Sequence, residues 1–300
     1  MLAGEPAVQD IYALMSASRS SSASVRRSAY DTLRRLDPAT LGALHAAALL
    51  TRLDESEWRV RELALLVIEK MHPAAIKPHV DALVLRLEDS VWRVRSAALL
   101  ALRKMEPAAL AKHADAVLAR LEDSQWEVRE SALRHVLSEL EPVVLAKHVR
   151  AVLVRLDDSQ WEVRESALRH VLKKLKPAAI AQHAGVVAMR LEDSVWQVRE
   201  SALMHVLRKL DPTVIAQHAD AVVLRLEDTM WKVRCEALSV LGRMLPVVLA
   251  QHADAIVSKL EDSEGVVRMV ALRTLGRLEP ATLAQHANAV ATRLDDSNQV

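Results

Sequence analysis

The sequence predicts an all-α solenoid assembled from antiparallel helix pairs, and three observations predict it. The segment DSQWEVRESALRHVL occurs at 123–137 and again unchanged at 158–172, and self-similarity at a fixed period of this size marks stacked repeat architectures. The pattern W-x-V-R recurs at Trp58, Trp92, Trp126, Trp161, Trp196 and Trp231, with Ala23 before them and Gly265 after them in the same register. Prolines fall between these stations, at Pro6, Pro38, Pro73, Pro107, Pro142, Pro177, Pro212, Pro246 and Pro280, so each unit holds two segments and the period is 34–35 residues.

The first segment of a unit, as in PAALAKHADAVLARL (107–121), opens on Pro, whose missing N–H has no intrahelical partner at the first helical position. Leu110, Ala114, Val117 and Leu121 then recur at helical spacing. The second segment opens at EDS, where Asp123 or Ser124 can accept from orphan N–H groups; Ser124 with Glu127 and Ser159 with Glu162 have the spacing of capping boxes. Val128, Ala132, Leu133, Val136, Leu137 and Leu140 give it a broad apolar face. One such pair cannot bury both faces, so neighbours must stack and share a core. The expectation is a single array over 1–300, with units at about 5–36, 37–71, 72–105, 106–140, 141–175, 176–210, 211–244 and 245–278 and a half-unit at 279–300, or eight and a half pairs. The closing DDSNQV has the look of the next capping motif, which implies a longer parent protein or a partner over that face.

Composition narrows the functional classes. Hydrophobic residues make up 51% of the chain with no Phe and only 6 Gly, which suits closely packed helices better than twisted sheet. The net charge of +1 supplies no bulk field for nucleic acid or an anionic membrane. No apolar run reaches the ~18 residues of a membrane span, and MLAGEPAVQD lacks a signal peptide's basic and apolar regions. The single Cys235 allows no internal disulfide, so a cytoplasmic or other reducing intracellular compartment is expected.

The pattern L-x-D-S-x-W-x-V-R-x-x-A-L after a Pro-initiated helix resembles the HEAT repeat family. With units of 34–35 residues it is most similar to the compact HEAT-like repeats named after phycobilin lyases. The resemblance implies a right-handed solenoid with an Asp–Arg ladder, whose positions here are Asp89 with Arg95, Asp123 with Arg129, Asp158 with Arg164, Asp193 with Arg199, Asp228 with Arg234 and Asp262 with Arg268. Arg129 falls between Val136 and Leu140 on the helical wheel, and a guanidinium on an apolar face is tolerated only when paired. Ser20 and Glu55 stand at the Asp position in the first two units, which puts the ladder there in question.

Candidate chemistry was weighed residue by residue. His45, His79, His113, His148, His183, His218, His252 and His286 place one histidine in each of eight first helices. Adjacent helices lie about 8–10 Å apart, too far for two imidazoles to share one zinc, so these read as interface fillers or cap partners, with a pH-dependent role in stacking as the lesser alternative. The Trp series reads as packing. No phosphate-cradling loop, H-E-x-x-H or nucleophile elbow occurs, so neither an enzyme, a cofactor nor a metal is expected.

Specificity in an array with a repeated core must come from exposed positions that vary. The second helices are expected to line a concave surface, and their outward stripe at offsets 1, 4, 5, 8, 9 and 12 after the Trp register changes along the chain. In the second and third units Leu63, Leu66, Val67 and Leu100 form an apolar patch beside Arg93. The fourth and fifth give a polar band of Glu127, Glu130, Arg134 and His135, then Glu162, Glu165, Arg169 and His170; the sixth, with Met204 and His205, is intermediate. The expected function is a non-catalytic protein-binding scaffold, possible as part of a large assembly, with no nucleic acid, membrane insertion or small-molecule substrate. The alternative suggested by the resemblance is a subunit of a tetrapyrrole (bilin) lyase or isomerase; a nucleic-acid-binding solenoid is disfavoured because Glu alternates with Arg where phosphates would lie.

Overall fold

The computed structural model of the chain describes residues 43–287 continuously, together with 13–14, 16–17, 20, 22–35 and 290–291. Pro6, Pro38 and DDSNQV, and the side chains of Ala23 and His45, lie outside the described residues. Every regular element among the described residues is helical, and the elements alternate as the two-segment repeat requires. No helix among them is long and apolar enough to cross a membrane.

Where the sequence suggests one array, the chain divides into two compact units, Met1–Leu145 and Ala146–Val300. The division falls inside the first helix of the fifth repeat (Pro142–Lys147). Repeat contacts run only between neighbours, so no single interface holds such a chain together more strongly than the others. In the first unit the second helices of successive repeats pack side by side, Trp58–Ile68 against Trp92–Leu102; in the second unit Trp231–Leu241 packs against Gly265–Leu275 in the same way. Leu83, Leu87, Val94 and Leu99 fill the core of the first, and Leu191, Val198, Leu203 and Ile215 that of the second, all fully buried.

From Pro73 onward, the first helix of each described repeat is two short helices with a bend between them, and a histidine marks the bend. His79, His113, His148, His183, His218, His252 and His286 take φ between −122° and −108° with ψ between 10° and 18°, near the sparsely populated bridge region. Pro107–Lys112 thus ends at His113 and Ala114–Ala119 begins after it. Both pieces still reach the core, through Leu110 and Val117. The imidazoles are half-buried; His113 Nε2 lies 3.4 Å from Asp81 Oδ1 of the preceding repeat.

The second helices come in two forms. From Trp92 to Pro107 the chain takes 15 steps, and from Trp126 to Pro142 it takes 16. The longer version occurs in the fourth, fifth and sixth repeats, and there the α-helix passes into a π-helical turn at Ala132–Val136, Ala167–Val171 and Ala202–Val206. A π-bulge is how a helix absorbs one inserted residue without losing its flanking register. The mixture of 34- and 35-residue periods is therefore a structural signal: the extra residue lies in the stretch holding His135, His170 and His205.

A ladder of arginines ties repeat to repeat. Arg95 donates from Nε and Nη2 to both carboxylate oxygens of Asp123 in the next repeat, at 2.7 and 2.6 Å, while its Nη1 donates to the backbone oxygen of Asp89 in its own repeat at 2.8 Å. Arg164 with Asp193, Arg199 with Asp228 and Arg234 with Asp262 repeat the arrangement in the second unit. The carboxylate thus belongs to the preceding repeat's Arg, and the Arg of its own repeat takes only its carbonyl. Arg61 joins the ladder through Asp89 although Glu55 stands at its own Asp position, because that contact uses the backbone oxygens of Glu55 and Ser56. Arg129 and Arg268 make the own-repeat contacts, to the carbonyls of Asp123 and Asp262; the register position after Asp262, Asp296, lies outside the described residues.

The same aspartates shape the turn before the second helix. Asp123 Oδ1 accepts from the N–H of Gln125 at 3.0 Å, as do Asp158 from Gln160 and Asp193 from Val195. This Asx turn replaces the expected capping boxes: Gln125 and Gln160 are the N-caps, without a side-chain cap bond, and Ser124 contributes its carbonyl to Arg129. Burial alone would raise the Asp228 carboxyl, but hydrogen bonds from Arg199 and the Met230 N–H, with the nearby Arg225 charge, outweigh it and hold it below the usual carboxylate range.

A second arginine series, not read from the sequence, closes the other side of each junction. Arg86 Nη1 donates to the carbonyl of Leu53 at 2.7 Å, Arg120 to that of Leu87, Arg190 to that of Leu156 and Arg225 to that of Leu191. Replacing Arg199 by Ala leaves the Asp228 carboxylate, 2% exposed, without its main partner; thermal and urea unfolding should show a loss of about 3–5 kcal/mol. The exposed Arg134, paired with Glu130 one turn away, should lose no more than about 0.5 kcal/mol on the same change.

Candidate functional site

The second-helix stripe is narrower than its wheel suggests. Leu63 and Val67 are 0% and 1% exposed, and Ala97 and Ala101 are buried too. Leu66 and Leu100 are half-buried. The expected apolar patch of Leu63, Leu66, Val67 and Leu100 is therefore corrected: two of its four members are core. Within a unit the second helices of successive repeats flank one another, so offsets 5 and 9 turn into those contacts, and only the middle of the stripe remains outward. Ser131, Ser166 and Ser201 at offset 5 are buried for the same reason, and the Ser96 and Ser131 hydroxyls meet at 2.9 Å across a junction.

Arg93, placed at the edge of that patch, is engaged with tryptophan. Its guanidinium lies 5.5 Å from the Trp58 ring and 5.0 Å from the Trp92 ring. Lys232 does the same between Trp196 and Trp231, at 5.3 and 5.8 Å. A cation held between two successive rings combines cation–π attraction with packing, and the half-buried indoles serve the stack.

The charged residues expected to form a polar band pair locally within their own helices. Glu130 bridges Arg134 at 3.3 Å and Glu165 bridges Arg169 at 3.0 Å, each one helical turn apart, with both arginines exposed. Glu127 and Glu162 turn one carboxylate oxygen inward, buried and without a donor among the described residues. In the second unit Glu200 and Glu236 are both raised, Glu200 by burial and Glu165, Glu236 by burial and Glu200; Lys232 and Arg169 oppose the first shift, Arg208 and Arg273 the second. Met204 is half-buried.

Two histidines of this band are held well below the ordinary imidazole range. Burial, then Arg103 and Arg134, push His135 down to about 4; burial, then Lys173, Arg169, Lys209 and Arg208, do the same to His205. His170 is half-buried in the corresponding place. Cys235 is buried, and burial with Glu236 and Asp262 nearby pushes its thiol up to about 11, which leaves it unreactive. Among the described residues no three His, Cys, Asp or Glu side chains converge as a metal-binding group.

The second helices expose Val25, Val266 and Met269, but a row of exposed apolar residues over consecutive repeats lies on the first helices. Val154, Met189 and Leu224, at the end of the first helix in three consecutive repeats of the second unit, are 56%, 62% and 60% exposed, and Val186 lies one turn before Met189. These residues share one register, each directly before the Arg of R-L-[DE]. That register carries Leu85 and Ala119 in the first unit and Ser258 further on. Aligning this column would have revealed the row, but attention to the second helices passed over it.

No protein-family model matches the chain, and no curated protein matches it. Among solved structures it is similar to an engineered protein whose crystal structure was determined by the Northeast Structural Genomics Consortium, with a TM-score of 0.61 and 19% identity over 95% of this chain and 82% of that one. At that identity the likeness shows the fold alone.

Protonation of the two depressed histidines should be visible in stability. Their folded pKa of about 4 lies below the ordinary value of 6.5, so between these limits the unfolded chain binds more protons and stability rises with pH. Chemical unfolding should show stability falling as pH drops from about 6.5 to about 4, and His135→Gln with His205→Gln should flatten that part of the profile.

Proposed function

We propose that the chain is a non-catalytic protein-binding scaffold whose anchor surface is the first-helix row of Val154, Met189 and Leu224. The observation that carries this reading is the row itself: large apolar side chains more than half exposed, in register over three repeats whose other large apolar residues mostly pack inward. A contiguous exposed apolar patch on a water-facing surface signals an interaction site. Arg150 and Asp220, exposed one turn before Val154 and Leu224, give it a charged rim. The partner chemistry that fits is an amphipathic helix: neighbouring repeats stand about 8–10 Å apart, and residues seven apart on an α-helix recur every ~10.5 Å. A partner helix with one apolar residue every second turn can seat one on each repeat.

This reading moves the anchors from the expected second-helix surface, where Leu63 and Val67 are core, to the first helices. The test is affinity purification from the native source under mild conditions, with mass spectrometry and an absorption spectrum of the eluate. A stoichiometric protein should be retained by the wild type and weakened at least about tenfold by Met189→Glu with Leu224→Glu, without a fall in melting temperature, while Leu85→Glu retains it. Equal retention by the double variant, or a coloured ligand without protein, would overturn the proposal.

A further inference from the structure

The second unit also carries a strongly basic cleft of about 830 Å³ at the C-terminal ends of four successive second helices. The fifth repeat supplies Lys173 and Lys174, and then Lys176 just before Pro177. Arg208 and Lys209 come from the sixth repeat and Arg243 from the seventh. The eighth adds Arg273 and Arg277. The lining contains no carboxylate and no aromatic ring. Ser239, Gly242 and Thr274 also line it.

Two ordinary explanations for such a cluster fall short. Cations in the last turn of a helix compensate the macrodipole, but at roughly half a charge per helix four ends account for only about two of the eight. Internal pairing accounts for part of the rest: Arg208 bridges Glu236 at 3.0 Å, and Lys174 is engaged as well. Lys209 donates to the carbonyl of Lys173 at 2.6 Å, which satisfies a hydrogen bond and cancels no charge. A surplus of positive charge remains, with no carboxylate in the lining to offset it. The fold does not demand it either: at the equivalent positions of the first unit Glu69 bridges Arg103 at 2.8 Å, and Glu139 stands where Lys174 and Lys209 do. Burial, with Lys173 and Arg208 beside it, lowers the Lys209 ammonium, as expected of like charges crowded together.

We propose that this cleft binds a compact group bearing several phosphates, either a free small molecule or the headgroup of a lipid. The volume lies in the usual range for small-molecule sites, about 300–1,000 Å³. Phosphate monoesters, at about −1.5 to −2 each, supply the concentrated negative charge that such a surplus suits. Arginine forks take phosphate oxygens in pairs and lysines add mobile point charges, so a mixed lining suits phosphates presented in several orientations. With no ring to stack on a base and no carboxylate to pair with a cation, the positive charge is what distinguishes the cleft.

Calorimetric titration of the full chain with inositol hexakisphosphate should give saturable one-to-one binding that weakens steeply with salt. Lys176→Glu with Arg243→Glu, two side chains without an ion pair among the described residues, should weaken it at least about tenfold at unchanged melting temperature. Arg134→Glu, outside the cleft, should leave it intact. Co-sedimentation with phosphatidylcholine vesicles containing phosphatidylinositol 4,5-bisphosphate separates the sources: capture assigns a headgroup, and binding of the soluble probe alone assigns a free ligand. The proposal fails if neither arm saturates or if the charge-reversed variant binds equally. It also fails if a single-stranded oligonucleotide displaces the probe with an affinity that grows with strand length, which would make nucleic acid the occupant.

Discussion

One guanidinium per repeat sets the geometry on which everything else depends. The Arg of W-x-V-R has five donors in a rigid plane. One edge grips the carbonyls of the turn in its own repeat and the other takes both oxygens of the next repeat's Asp, as Arg95 and Arg199 do. That Asp also accepts from the N–H two residues ahead and so fixes where its own second helix starts. Stacking distance, turn conformation and helix start are therefore one linked set of hydrogen bonds. Lysine, with a single ammonium, could not hold three acceptors in a plane.

Such a junction leaves limited surface for function. The second helices are flanked on both sides, so apolar residues that look outward on an isolated helix, such as Leu63 and Val67, become core. What stays open is the last turn of the first helix, where Met189 and Leu224 stand out, and the ends of the second helices, where charge collects. The two surfaces have opposite chemistry, one apolar and one cationic, on a framework that treats every repeat alike.

Much of this was legible in the sequence, because period, proline placement and the W-x-V-R register each reflect local physics. All-helical pairs follow from those patterns alone, and a buried, paired arginine follows from the position of Arg129 on its wheel. Other features needed three dimensions. The bend at His113 leaves no mark in hydropathy, since Leu110 and Val117 keep helical spacing across it. The π-turn at Ala132–Val136 was written in the count of residues between Trp126 and Pro142, but a one-residue difference in period acquires meaning only when the neighbouring helices show where it is taken up. Arg86 and its equivalents bond to backbone oxygens, which no residue pattern reports. The stripe on the second helices failed because a single helical wheel takes no account of flanking neighbours.

The ladder has a consequence for how such a chain can change over generations. Each Arg meets the same acceptor set whichever repeat follows it, so repeats are interchangeable parts joined by a common fitting. Between 123–137 and 158–172 the residues are identical, and a misaligned recombination there would add or remove one whole 35-residue unit while rebuilding an unaltered junction. Array length is thus free to drift under selection on the surface columns alone, with the core carried along unchanged.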